Sequence, residues 1–118
     1  MTQSIPLGED GWLDLGPIGE IPLGQGRCYR VGRYAVAIFR LRDGALRALD
    51  ADCPHQGGPL SDGIVDQEKV ICPLHGFAFS LETGEGFGQS LSVRRYEVRS
   101  SGGRILAKFP VSRKRAVL

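Results

Sequence analysis

The chain has 118 residues, with 15 basic and 13 acidic side chains and a formal net charge of +2. This length suits one modest hydrophobic core, so we expect a single domain over residues 1–118. Basic side chains are scattered, apart from Arg113-Lys114-Arg115 near the end, which excludes the charge pattern of a nucleic-acid-binding protein. The longest purely apolar stretch, Ala35 to Phe39, is far shorter than the about 20 residues that a membrane-spanning helix needs.

Cysteine usage and the N-terminal sequence predict where in the cell the protein is found. The chain has three cysteines, an odd number that fits a reducing compartment better than a disulfide framework. The opening "MTQSIPLGEDGW" lacks the basic start and apolar run of an export signal. We therefore expect a soluble cytoplasmic protein without a membrane or nucleic-acid partner.

An all-β fold is predicted, because 17 glycines and seven prolines recur along the chain and leave little room for long helices. The first half predicts strands at Trp12–Leu15, Arg27–Val31, Tyr34–Phe39 and Leu46–Leu49. The first should lie at a sheet edge. The last two form a hairpin through an Asp43-Gly44 turn, and apolar residues on both faces of the earlier strand place that hairpin centrally.

The second half predicts small strands in loops, followed by another hairpin. Residues 50–85 are broken by repeated glycine and proline, so their short apolar pieces should form small strands. Residues 89–101 then form a strand that a Gly-Gly turn joins to "RILAKF". The predicted faces are Arg94, Tyr96 and Val98 on the first strand and Ile105, Ala107 and Phe109 on the second.

The stretch "DCPHQGGPLSDGIVDQEKVICPLHG" contains the candidate metal ligands of the chain. It contains both histidines and two of the three cysteines, namely Cys53, His55, Cys72 and His75. Each end offers one sulfur and one nitrogen in a glycine- and proline-rich loop. These ligand types allow either a structural zinc or a 2Fe-2S cluster with two histidines on one iron. Zinc fingers usually pair cysteine with cysteine and histidine with histidine, an order that differs from this one.

The spacing Cys-x-His, sixteen residues, Cys-x-x-His, with flanking glycines and a proline after each cysteine, resembles the Rieske family. The resemblance implies a Rieske-type antiparallel β-sandwich. It also implies a small two-loop cluster-binding subdomain at approximately residues 50–85 and a C-terminal tail at 110–118. The implied cofactor is a Rieske 2Fe-2S cluster, with Cys53 and Cys72 on one iron and His55 and His75 on the other.

The residues at four positions near the expected ligands predict whether the reduction potential is high or low. In high-potential Rieske proteins each loop carries an extra cysteine, and a serine and a tyrosine follow the last histidine ligand. The corresponding positions here are Gly58, Leu74, Phe77 and Phe79. Fewer hydroxyl donors leave the reduced cluster less stabilised, so the resemblance implies a potential toward the low end of the Rieske range.

Longer similarity in "IPLGQGRCYRVGRYAVAIFRLRDGALRALDADCPHQGGPLSDGIV" and "CPLHGFAFSLETGEG" resembles the small subunit of assimilatory NAD(P)H nitrite reductase. This implies a large nitrite reductase subunit as redox partner. The alternative is the ferredoxin of a multicomponent aromatic-ring dioxygenase, whose partners are a flavin reductase and a terminal oxygenase. A zinc-stabilised binding module is a third interpretation. No catalytic residue accompanies the four ligands, so we expect an electron-transfer component without a substrate site of its own.

The third cysteine is interpreted separately. Cys28 lies in a predicted strand, away from both loops, and is predicted to behave as a small packed apolar side chain.

Overall fold

The computed structural model describes residues 5–6, 11–52, 59–73, 76–88 and 91–109. Regular structure there is β-strand, with short 3-10 turns at Ile18–Glu20 and Leu60–Asp62. The strands are β1 Ile5–Pro6, β2 Trp12–Pro17, β3 Gln25–Val31, β4 Tyr34–Arg40, β5 Leu46–Asp50, β6 Ile64–Val65, β7 Lys69–Ile71, β8 Ala78–Ser80, β9 Arg95–Ser101 and β10 Arg104–Lys108. The all-β prediction is confirmed. In the described part of the chain, no helix is long and apolar enough to cross a membrane.

Seven strands form one antiparallel sheet in the order β1-β2-β10-β9-β5-β4-β3, and β6, β7 and β8 form a smaller one. The predicted hairpin of β4 and β5 lies in the interior of the large sheet, as expected. The hairpin joins the rest of the sheet through β5 and β9, in which Ala48 pairs with Tyr96 and Leu49 pairs with Arg95.

The predicted C-terminal hairpin is confirmed, although its first strand, predicted over residues 89–101, is Arg95–Ser101 in the structure. Gly102 and Gly103 connect β9 to β10 with φ angles of 59° and 79°, a left-handed pair that glycine adopts without steric cost. The predicted core face of β10 is buried at Ile105, Ala107 and Phe109. On the preceding strand Tyr96 is buried and Val98 half-buried, whereas Arg94 is exposed and precedes the first residue of β9.

The prediction of an edge strand at Trp12–Leu15 is wrong in one respect. This segment belongs to β2, which pairs with β10 on one side and with the two-residue strand β1 on the other. A strand of two residues shows no alternation of apolar and polar side chains, so the sequence pattern could not reveal it.

Apolar residues on both faces of β4 separate two hydrophobic clusters. Ala37 and Phe39 pack into one cluster, while Val36 and Ile38 pack into the other. The first cluster also contains Val70 of β7, so the small sheet packs against this face of the large one. This two-layer arrangement is what the predicted sandwich required.

Gly63 connects the Leu60–Asp62 turn to β6 and tolerates no side chain. A Cβ atom there would overlap the carbonyl oxygen of Ile71 and lie 2.9 Å from a methyl carbon of Val70. We expect Gly63→Ala to lower the free energy of unfolding by about 1–3 kcal/mol, because overpacking displaces backbone. Urea denaturation, monitored by circular dichroism, measures the free energy of unfolding.

The matched control is Gly19→Ala, since a Cβ atom at Gly19 meets nothing within 4 Å. Its unfolding free energy should stay within about 0.5 kcal/mol of the wild type. Equal stability of the two variants would contradict the tight packing at Gly63.

Candidate metal centre

The first predicted ligand loop is closed at its base by backbone contacts. It leaves β5 through Ala51 and Asp52, and it returns at Pro59, which forms an isolated antiparallel bridge with Asp52. The amide of Leu60 donates a 2.7 Å hydrogen bond to the carbonyl oxygen of Ala51, and the Leu60 side chain is fully buried. The described residues on the two sides of the first loop, Asp52 and Pro59, are therefore held together.

The second predicted loop begins where β7 ends and closes on β8. The amide of Cys72 donates to the carbonyl oxygen of Phe77 at 2.7 Å, and the amide of Gly76 donates to the carbonyl oxygen of Cys72 at 3.1 Å. Gly76 has a φ of 75°, a left-handed conformation that favours glycine. The glycine that follows His75 thus serves a tight turn.

Both loop bases rest on the same apolar cluster. Ala51 and Leu60 from the first loop pack in one cluster with Cys72, whose exposed fraction is 1%. The fold therefore brings together two segments that the sequence separates, and it places the Cys72 thiol on an apolar platform shielded from water.

Of the four predicted ligands, the structure describes Cys72. Cys53, His55 and His75 lie outside the described residues, as do Gly58 and Leu74. Within the described ranges, no group of three or more His, Cys, Asp or Glu side chains could hold a metal ion.

The two phenylalanines after the second loop contribute to the platform. Phe79 is fully buried in the same cluster as Cys72, and Phe77 is half-buried against it. Neither side chain can donate a hydrogen bond. The two positions that carry a serine and a tyrosine in high-potential Rieske proteins therefore supply no hydroxyl group here.

Asp50 anchors the strand end from which the first loop emerges. Its carboxylate accepts a 2.8 Å hydrogen bond from the Tyr96 hydroxyl and a 3.1 Å bond from the amide of Arg94. Burial, followed by the hydrogen bond to Asp50, raises the pKa of Tyr96 far above its usual range. Sequence patterns miss this contact, because the two side chains lie 46 positions apart and no local signal joins them.

Asp66 holds the turn between β6 and β7, which leads into the second loop. Its carboxylate accepts bonds from the amides of Glu68 at 2.7 Å and Lys69 at 2.8 Å, and Lys69 also pairs with it at 3.2 Å. These amide bonds are the main reason why the pKa of Asp66 lies below its ordinary 3.8.

We expect Asp66→Ala to be less stable than the wild type at pH 7. A depressed pKa in the folded state means that the stabilisation is present above the unfolded pKa and disappears as the pH falls through the folded value. The stability difference should therefore shrink below about pH 4. Thermal unfolding from pH 7 to pH 2.5 measures it. Glu85→Ala, which removes an exposed carboxylate, is the control, and a difference that grows in acid would contradict the assignment.

Cys28 lies in strand β3, as predicted, but the prediction of a packed apolar side chain is wrong. The residue is exposed on the edge strand of the large sheet. Partial desolvation raises the pKa of its thiol. Period-two alternation could not reveal the exposure, since it depends on which strands cover β3.

In the described residues, two loop bases closed by backbone contacts lie on an antiparallel β platform together with the buried thiol of Cys72. This arrangement defines an all-β protein with a candidate thiolate ligand at the base of two loops. The family model described as the Rieske [2Fe-2S] domain matches residues 11–97. The chain belongs to this family. Its cofactor is accordingly a Rieske-type 2Fe-2S cluster, which fits the shielded Cys72 thiol.

The solved structure described as an NADH-dependent nitrite reductase small subunit from Mycobacterium tuberculosis is similar, with a TM-score of 0.77 and 27% identity. The match covers 93% of this chain and all of that one. The ferredoxin component of a naphthalene 1,2-dioxygenase/salicylate 5-hydroxylase system from Ralstonia sp is 27% identical over 83% of this chain and 95% of its own length. Cholesterol 7-desaturase nvd 2 of Ciona intestinalis is 37% identical over 68% of this chain, which spans 18% of that protein.

Proposed function

We propose that Cys53 and Cys72 bind one iron of the cluster and that His55 and His75 bind the other. The observation that carries this proposal is the shared apolar platform under both loop bases, with Cys72 on it. When bound, the cluster supplies reversible one-electron transfer. The chain's own residues fix the two loop bases by backbone hydrogen bonds and keep water from the Cys72 side.

The function we propose is electron transfer as the small subunit of an assimilatory nitrite reductase, beside a large catalytic subunit. The match to a protein described as an NADH-dependent nitrite reductase small subunit supports this function, since it covers 93% of this chain and all of that one. The proposal treats residues 1–118 as one Rieske domain, with residues 50–85 as its cluster-binding part and the cytoplasm as its location. Residues 110–118, which include the basic Arg113-Lys114-Arg115, lie outside the described residues.

A second candidate is the ferredoxin of an aromatic-ring dioxygenase system, which exchanges electrons with a flavin reductase and a terminal oxygenase. Its support is the ferredoxin relative that is matched over nearly its whole length. Both candidates use the same cluster and the same loops, so the partner distinguishes them.

The test has two stages. Anaerobically purified protein should contain about two irons and two acid-labile sulfides per chain, and dithionite should bleach its colour. A colourless protein with one zinc would contradict the ligand proposal. The holoprotein is then added to a large nitrite reductase subunit with NAD(P)H and nitrite, or to a dioxygenase reductase and oxygenase pair. Restored ammonia formation supports the first function, and restored aromatic dihydroxylation replaces it with the second.

A further inference from the structure

Four cations lie at one end of the large sheet and form a surface that we call the basic rim: Arg33, Arg94, Arg95 and Lys108. Arg33 lies in the turn from β3 to β4, Arg94 and Arg95 lie at the start of β9, and Lys108 ends β10. The antiparallel pairing brings these three positions to the same end of the sheet. The three arginines are exposed and Lys108 is half-buried.

Two buried aromatic side chains, Tyr96 and Phe109, lie beside the basic rim. Tyr96 and Phe109 line a groove of about 240 Å³ together with Arg94, Arg95 and Lys108. The ring centroids of these two aromatics are 5.5 Å apart, and the Tyr34 ring lies 5.6 Å from that of Phe109.

Arg33 extends the cationic edge on the Tyr34 side. Its guanidinium carbon lies 5.8 Å from the centroid of the Tyr34 ring. The basic rim is mainly a charged surface, because Tyr96 and Phe109 are each only 5% exposed.

The four cations of the basic rim form no ion pair within the described part of the chain. Ion pairs there join Lys69 to Asp66 and Arg104 to Asp14, and neither pair includes a rim residue. Two carboxylates lie beside the four cations: Glu97 lines the groove, and Asp50 accepts a hydrogen bond from the amide of Arg94. The remaining excess of positive charge attracts a negatively charged surface.

The basic rim is contiguous with the base of the first ligand loop. The amide of Asp50 donates to the carbonyl oxygen of Arg94 at 2.9 Å, and the Tyr96 hydroxyl donates to the Asp50 carboxylate. Two residues after Asp50 the chain enters the segment that carries Cys53 and His55. The basic rim therefore adjoins Asp50, at the base of that loop.

We propose that the basic rim is the docking site for an acidic surface of the redox partner. This proposal rests on the proposed electron-transfer function, since it concerns where that partner binds. The cations steer the encounter and face the carboxylates of the partner in the complex.

The binding test uses the holoprotein and a fluorescein-labelled decaglutamate peptide, with fluorescence anisotropy at low ionic strength. The double reversal Arg33→Glu/Arg94→Glu should weaken binding by about tenfold. Arg42→Glu, a reversal at an exposed position near the opposite end of the sheet, should leave it unchanged. Equal affinity of the three proteins would overturn the proposal, as would tighter rim-dependent binding of a 20-nucleotide single-stranded DNA than of the peptide.

A kinetic measurement separates this inference from the function on which it rests. Dithionite-reduced protein gives one electron to ferricyanide, which becomes ferrocyanide, and the oxidation rate is followed in a stopped-flow instrument. The double reversal should slow oxidation by this anionic reagent about tenfold, while Arg42→Glu has no effect. Unchanged rates would overturn the docking site, whereas a wild-type protein that dithionite cannot bleach would overturn the electron-transfer function itself.

Discussion

Replacing Cys72 with alanine abolishes cluster binding: we expect the variant to lose its visible colour and to contain almost no iron or acid-labile sulfide. Cys72 is the described member of the proposed ligand set, and its exposed fraction is 1%. Alanine cannot supply a thiolate, and water has no access to a position this deep in the apolar platform. Iron and sulfide analysis, together with visible circular dichroism, measures the loss.

The fold should survive this substitution. Cys72 belongs to one hydrophobic cluster, while Ile38, Ile105 and Phe109 stabilise the large sheet from the other side. Far-ultraviolet circular dichroism of the Cys72→Ala protein should therefore match that of wild-type protein from which the iron has been removed.

Cys28→Ala is the matched control, because this cysteine is exposed on β3 and is not a proposed ligand. The control should retain about two irons per chain and change stability by no more than about 0.5 kcal/mol. A Cys72→Ala protein that keeps its cluster would remove Cys72 from the ligand set. A Cys28→Ala protein that loses the cluster would instead show that Cys28 is needed for cluster binding.

Strong local signals made much of the fold predictable. The Gly102-Gly103 turn and the alternation of Ile105, Ala107 and Phe109 specify a hairpin without reference to the rest of the chain. Apolar residues on both faces of β4 likewise indicate a strand with a core on either side.

Contacts between distant segments were not predictable. Nothing near Asp50 indicates that Tyr96 will reach it, and nothing near Cys28 indicates that its strand forms an edge. The two-residue strand β1 leaves no pattern at all. These features depend on sheet order, which sequence periodicity does not encode.

The candidate site shows the same division. The spacing of Cys53, His55, Cys72 and His75 is enough to indicate the ligand types and the family. The platform beneath the loops forms only when Ala51, Leu60 and Cys72 pack in one cluster. The spacing of the ligands can be read from a short stretch of sequence. The packing that supports their loops depends on tertiary contacts between distant segments.

Replacing His75 with cysteine should lower the reduction potential by on the order of 100 mV and change the visible spectrum. A thiolate in place of a neutral imidazole adds negative charge to the cluster and makes further reduction less favourable. Rieske centres span about −150 to +300 mV, against about −400 mV for plant-type clusters with four cysteines. We expect the wild-type potential to lie near the low end of the Rieske range. One substitution should lower it by roughly half of the difference from four-cysteine clusters, since the other histidine remains.

Spectroelectrochemical titration of the wild-type and His75→Cys proteins measures the shift. Gly76, with its φ of 75°, and its hydrogen bond to the carbonyl oxygen of Cys72 keep the turn in place beside the altered residue. Ser100→Cys is the control, because it adds a thiol at an exposed position on β9, within the large sheet rather than in a ligand loop. Its potential should equal that of the wild type. A His75→Cys protein that retains the cluster with the original spectrum and potential would show that His75 does not bind iron, because a change from nitrogen to sulfur at the metal alters both.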